Sequence, residues 1–105
     1  MNMVPAAAIP SFSAQTGGRL PSDGFLGVRP EGLRVHPNGN GGVSGTVDLV
    51  EALGADTLIH VDVGGVQLIA RQNERTPLHV GDNVAVELDP SVLHLFNREG
   101  RALAA

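Results

Sequence analysis

Thr57-Leu58-Ile59-His60-Val61-Asp62-Val63-Gly64-Gly65-Val66-Gln67-Leu68-Ile69-Ala70-Arg71 decides the fold. Apolar Ile59, Val61 and Val63 alternate with polar His60 and Asp62. That period of two belongs to a strand with one face buried. Gly64-Gly65 supplies two residues that tolerate positive φ, as a tight hairpin requires, and Val66 to Arg71 returns as the partner strand.

The same period extends outward in both directions. Val43-Ser44-Gly45-Thr46-Val47-Asp48-Leu49 places apolar residues at odd positions, with Ser44, Thr46 and Asp48 on the other face. The following Asp48 to Gly54 also fits two helical turns, since Leu49 and Leu53 are four apart and a glycine follows, but the alternation already running from Val43 favours a strand. Gly81-Asp82 forms a turn that opens a strand over Asn83 to Asp89, burying Val84, Val86 and Leu88. Asp89-Pro90-Ser91 reads as one capped helical turn, followed by a short strand at His94-Leu95-Phe96 and a turn over Asn97 to Gly100.

Residues 1–42 are punctuated differently. They hold 8 of the 14 Gly and 5 of the 7 Pro, whereas residues 43–105 hold 10 of the 13 Val and nine of the eleven acidic residues. Met1 to Ile9 reads as one strand that Pro5 confines to an edge, Gly24 to Arg29 as a second and Leu33 to Val35 as a third. Residues 10–23 and 36–42 read as loops. The expectation is an all-β chain with little helix, a small OB-like barrel of five to six short strands. Residues 1–42 would supply its N-terminal strands and Gly/Pro-rich loops, and residues 43–105 the main β-rich part of the same domain.

Composition removes several functions. The 105 residues include seven Arg, no Lys and no Cys, so a phosphate-binding P-loop lysine, Schiff-base chemistry, thiolate metal sites and thiol nucleophiles are all excluded. A formal charge of −4 opposes a phosphate backbone, and only Phe12, Phe25 and Phe96 are available to stack on bases, which argues against nucleic acid. No apolar run approaches the ~18 residues of a membrane span and the N-terminus lacks a basic start, so a soluble cytosolic chain is expected.

The candidate chemical motifs are weak. Gly39 to Thr46 resembles a nucleotide loop but has Ser44 where the dinucleotide pattern needs Gly, and no Lys before Thr46. His36, His60, His79 and His94 invite a metal reading, yet His60 and Asp62 on one strand face give only two ligands. His94, between Leu93 and Leu95, is expected to be a partly buried, hydrogen-bonded imidazole or an interface contact. A domain this small is not expected to hold a cleft of ~300 Å³ or more, so catalysis by this chain is not expected.

Gly27-Val28-Arg29-Pro30-Glu31-Gly32-Leu33 resembles a signature in the C-terminal regulatory region of ATP-binding subunits of sugar ABC importers, the MalK-like and UgpC-like group. The resemblance continues in order through Leu53-Gly54-Ala55-Asp56-Thr57, Leu68-Ile69-Ala70-Arg71, Gly81-Asp82 and His94-Leu95-Phe96. Gly32 stands where that family has His, and residues 6–23 are shorter and richer in Gly and Ser than its opening strands. That difference suggests an abbreviated or partly disordered first element.

The resemblance implies a transport-associated OB (TOBE, or MOP-like) fold without catalytic residues, cofactor or metal of its own. ATP and Mg²⁺ would be held by an ATPase domain outside these residues, with Met1 corresponding to an internal position of a longer subunit. Implied partners are that ATPase domain, a second copy across a two-fold axis, permease subunits indirectly and an inhibitory regulator, at the inner face of the cell membrane. Arg29, Pro30, Glu31, Gly54, Asp56, Thr57, Arg71, His94, Leu95 and Phe96 carry the resemblance. They are expected to act as framework or interface, with Arg29 and Glu31 tying their turn by hydrogen bonds. Another reading is an oxyanion binder, since related OB-like domains hold molybdate; the absence of Lys opposes it.

Overall fold

A computed structural model describes all residues except 15, 17, 38–41, 74–76, 104 and 105. Its described residues form strands β1 (Asn2–Pro5), β2 (Phe25–Val28), β3 (Leu33–Pro37), β4 (Val43–Ala52), β5 (Thr57–Val63), β6 (Val66–Gln72), β7 (Asn83–Leu88) and β8 (His94–Phe96). A five-residue helix α1 (Pro10–Ala14) and two 3₁₀ turns, Pro30–Gly32 and Pro90–Val92, complete it. The all-β, OB-like expectation holds.

Five antiparallel strands form one sheet in the order β3-β7-β4-β5-β6, and three form another in the order β1-β2-β8. The alternation of the β5–β6 hairpin appears directly in burial: Ile59, Val61 and Val63 are buried, as are Leu68 and Ala70. Gly64 and Gly65 turn the chain with φ of +57° and +89°. The larger sheet curls until its two edges approach. There the Val35 N–H on β3 donates to Gln72 Oε1 on β6 at 2.9 Å.

Asn2 joins the two sheets. Its buried carboxamide donates to the carbonyls of Val28 (3.1 Å) and Ile69 (2.9 Å) and accepts from the Ile69 N–H (2.8 Å). A side chain thus imitates a ladder partner for β6 and occupies backbone groups that an edge strand would leave open. Between the sheets lies one apolar core that includes Val4, Phe12, Leu26, Leu33, Val47, Ile59, Leu68 and Val86.

Four expectations are corrected. First, β1 ends at Pro5 rather than Ile9, although Pro5 does lie on an edge strand. Second, residues 10–14 are helical rather than loop; Pro10 suits the first helical position, and Phe12 is only 1% exposed. The opening element is therefore packed over these residues, and Phe12 is not available for stacking on a base. Third, β4 continues to Ala52, but its alternation breaks. The register passes from Val47↔Val61 to Leu49↔His60, leaving Asp48 as the extra residue of a β-bulge. Parity reverses there, so Leu49 is 45% exposed while Val50 packs against the core. Fourth, β3 runs to Pro37, so the first two residues of the loop expected over 36–42 are strand. Its remainder lies mostly outside the described residues.

Candidate functional site

The residues that carry the resemblance fall into two neighbouring groups and a strand. Arg29 precedes the Pro30–Gly32 turn, which closes by backbone alone: the Gly32 N–H donates to the Arg29 carbonyl at 2.8 Å, and the Asp89 N–H donates to the Gly32 carbonyl at 3.0 Å. Among the described residues, the expected hydrogen bonds from the Arg29 and Glu31 side chains to this turn are not formed. Proline presets the backbone and leaves no donor to satisfy, so the turn needs no side-chain tie. Arg29, Glu31 and His94 instead border an open groove of about 450 Å³ with Gly32, Asp89 and Val92.

The second group lies at the far end of the β4–β5 hairpin. Gly54, with φ of +83°, sits in the connection closed by the Leu53 N–H donating to the Asp56 carbonyl at 2.8 Å. Asp56 Oδ2 accepts from Arg71 Nε at 2.8 Å and also pairs with Arg71 Nη2. That hydrogen bond and charge, reinforced by Glu31, raise the Arg71 pKa above its ordinary value. Thr57 is buried beside them. A depression of about 370 Å³ lined by Glu31, Arg34, Arg71 and Gln72 connects this group to the first.

Leu95 faces the core, whereas Phe96 points to the outer face of the smaller sheet. A Cβ placed on Gly27 would lie 2.6 Å from Met1 Sδ and 2.8 Å from Phe96 Cε2, so only glycine lets these side chains close over β2. Met1 and Met3 are 55% and 47% exposed, and with half-buried Phe25 and Phe96 they make this outer face apolar. His94 is exposed rather than partly buried, and no hydrogen bond holds its ring among the described residues.

The other histidines pair with carboxylates. His60 Nε2 lies 2.6 Å from Glu51 Oε1 and His36 Nε2 lies 3.3 Å from Glu87 Oε1, while His79 Nδ1 lies 3.9 Å from Asp82. Among the described residues no three metal-ligating side chains converge. Asp89 caps the second 3₁₀ turn: its Oδ1 accepts from the Ser91 hydroxyl (2.7 Å) and N–H (3.0 Å), which lowers its pKa.

The expectation that the domain holds no cleft is corrected. An open groove of about 750 Å³ crosses β5, β4 and β7, with its polar side chains on the face opposite the buried Val47 and Val61. Its polar residues come from three separate strands and the turn that precedes β7, so no local motif announces it.

The sequence pattern of the TOBE domain matches residues 26–96, more than half of the chain. The chain belongs to the TOBE domain family. This TOBE domain is 36% identical to the sn-glycerol-3-phosphate import ATP-binding protein UgpC of Cereibacter sphaeroides, over 98% of the chain and 32% of that protein. It is 34% identical to the sulfoquinovosyl glycerol transport ATP-binding protein SmoE of Agrobacterium fabrum, over 91% of the chain and 26% of that protein. It is 37% identical to the maltose/maltodextrin import ATP-binding protein MalK of Photobacterium profundum, over 73% of the chain and 21% of that protein. The chain thus spans about a third or less of the length of these relatives, and corresponds to one part of ABC ATP-binding subunits. No described helix is long and apolar enough to cross a membrane.

Proposed function

We propose that this TOBE domain is the non-catalytic regulatory and dimerisation module of the ATP-binding subunit of a carbohydrate ABC importer, of the sugar or glycerol-3-phosphate type. The observation that carries the reading is the match to import ATP-binding proteins over as much as 98% of the chain. ATP and Mg²⁺ belong to the ATPase domain of the same subunit, and this chain contributes mechanical coupling. It works in the cytoplasm at the inner face of the membrane, beside permease subunits it reaches indirectly, and it offers a surface to an inhibitory regulator.

The outer face of the β1-β2-β8 sheet supports the dimerisation component. Met1, Met3, Phe25 and Phe96 form an apolar surface that a second copy can cover about a two-fold axis, each residue meeting the same set on its partner. The domain exposes 6069 Å², so a standard contact of about 800 Å² per partner uses roughly an eighth of its surface. Sedimentation of the domain across a concentration series tests this. The expected result is a monomer–dimer equilibrium that Met3→Asp abolishes without lowering the melting temperature; a monomer at every concentration, or a dimer indifferent to Met3→Asp, refutes the contact.

A further inference from the structure

We propose that the groove across β5, β4 and β7 binds a neutral polyol, a monosaccharide or disaccharide. The register sets the chemistry. Thr46 on β4 lies opposite Asp62 on β5 on one side and opposite Asn83 on β7 on the other. Carboxylate, hydroxyl and carboxamide therefore stand in one row on one face, with about 5 Å between neighbours. Ser44 is two residues along β4 on the same face, and Asp82 adjoins Asn83.

These groups are available to a ligand. Among the described residues, the side chains of Ser44, Thr46 and Asn83 have no hydrogen-bond partner. Asp62 uses Oδ1 to accept from the Gly65 N–H at 3.0 Å, and Asp82 uses Oδ2 to accept from the His79 N–H at 2.8 Å. One oxygen of each carboxylate remains. Those short-range bonds also fix the carboxylates in place, which lowers the ordering cost of binding.

The donor and acceptor inventory selects the ligand class. Among the described residues that line the groove there is no cation, and its two carboxylates repel an oxyanion. A cation would satisfy the carboxylates but leave the Asn83 N–H groups and the two hydroxyl protons unused. A sugar hydroxyl both donates and accepts, so it can answer every group in the row. The groove's volume of about 750 Å³ falls within the range of small-ligand sites. This reading rests on the groove and not on the transporter assignment.

The test is a titration of the isotopically labelled chain, followed through its backbone amide resonances, with glucose, maltose, trehalose and glycerol. Parallel titrations with molybdate, calcium and spermidine serve as comparisons. At least one saccharide is expected to shift the amides of Ser44, Thr46, Asp62 and Asn83 and to saturate in the millimolar range. Thr46→Val preserves shape and strand preference while removing the hydroxyl, and Asn83→Ala removes the carboxamide. Each is expected to weaken binding about five- to tenfold, whereas Ser22→Ala leaves it unchanged. Three results overturn the proposal: no saccharide shifting these amides at about 50 mM, undiminished affinity in Thr46→Val, or the same amides answering instead to molybdate, calcium or spermidine.

Discussion

Replacing Asn2 by Ala should destabilise the domain far more than its place on a four-residue edge strand suggests. The substitution removes three hydrogen bonds, of 3.1, 2.9 and 2.8 Å, and leaves the Ile69 N–H, the Ile69 carbonyl and the Val28 carbonyl without that partner. At about 1 kcal/mol net for each bond, the loss is about 3 kcal/mol. A domain of this size has a total stability of about 5–15 kcal/mol, so the loss is a substantial fraction of it. It corresponds to a melting temperature lower by about 12–24 °C. Thermal and urea unfolding measure it, and Met3→Ala on the same strand is the control. Met3 is 47% exposed and should cost less than about 1 kcal/mol. Asn2→Asp keeps the acceptor for the Ile69 N–H but sets a carboxylate against two carbonyls, so it should be at least as damaging at neutral pH. The reasoning fails if Asn2→Ala falls within about 0.5 kcal/mol of Met3→Ala.

Three more results are expected. Because the bulge at Asp48 reverses parity, Val50→Ala should cost about 1–2 kcal/mol and Leu49→Ala less than about 0.5 kcal/mol, read by urea unfolding; the opposite order would return Leu49 to the core. Ile59→Ala, at a fully buried position, should cost about 2–5 kcal/mol in the same assay, and a cost below 1 kcal/mol would contradict the packing described. Asp89 has a folded-state pKa below its unfolded value, so its stabilisation is complete above the ordinary carboxylate pKa near 4 and is lost as pH falls toward the depressed value. Melting curves from pH 7 to 2 should therefore show a steeper acid loss in the parent chain than in Asp89→Asn, and parallel curves would refute the assignment.

The sequence displayed most clearly what depends on local alternation. The β5–β6 hairpin was legible because three buried residues alternate up to a glycine pair and the return strand follows at once. The β4 bulge was not, because one extra residue changes which face is buried without changing the apolar content of the strand. Helix α1 is too short to show a period, and its burial depends on Ile9 and Phe12 meeting strands distant in sequence. Asn2 gave no signal, since a carboxamide that pairs with a strand's backbone follows no sequence pattern.

The candidate site divides in the same way. The Gly54, Asp56, Thr57 and Arg71 group is joined by a hairpin already visible in the sequence, so the Asp56–Arg71 pair follows from strand register. The row of Asp62, Thr46 and Asn83 requires the order of β5, β4 and β7, which the alternation does not specify. His94 looked sheltered because leucines flank it, but adjacent residues on a strand point to opposite faces, and the buried neighbour is Leu95.

The most direct test of the functional account is to tag the chain in cells where it is native, solubilise the membranes gently and identify co-purifying proteins by mass spectrometry. The account predicts the ATP-binding and permease subunits of a carbohydrate ABC importer in stoichiometric amounts, reduced by Met3→Asp. Recovery of the folded domain without any transporter subunit would contradict it.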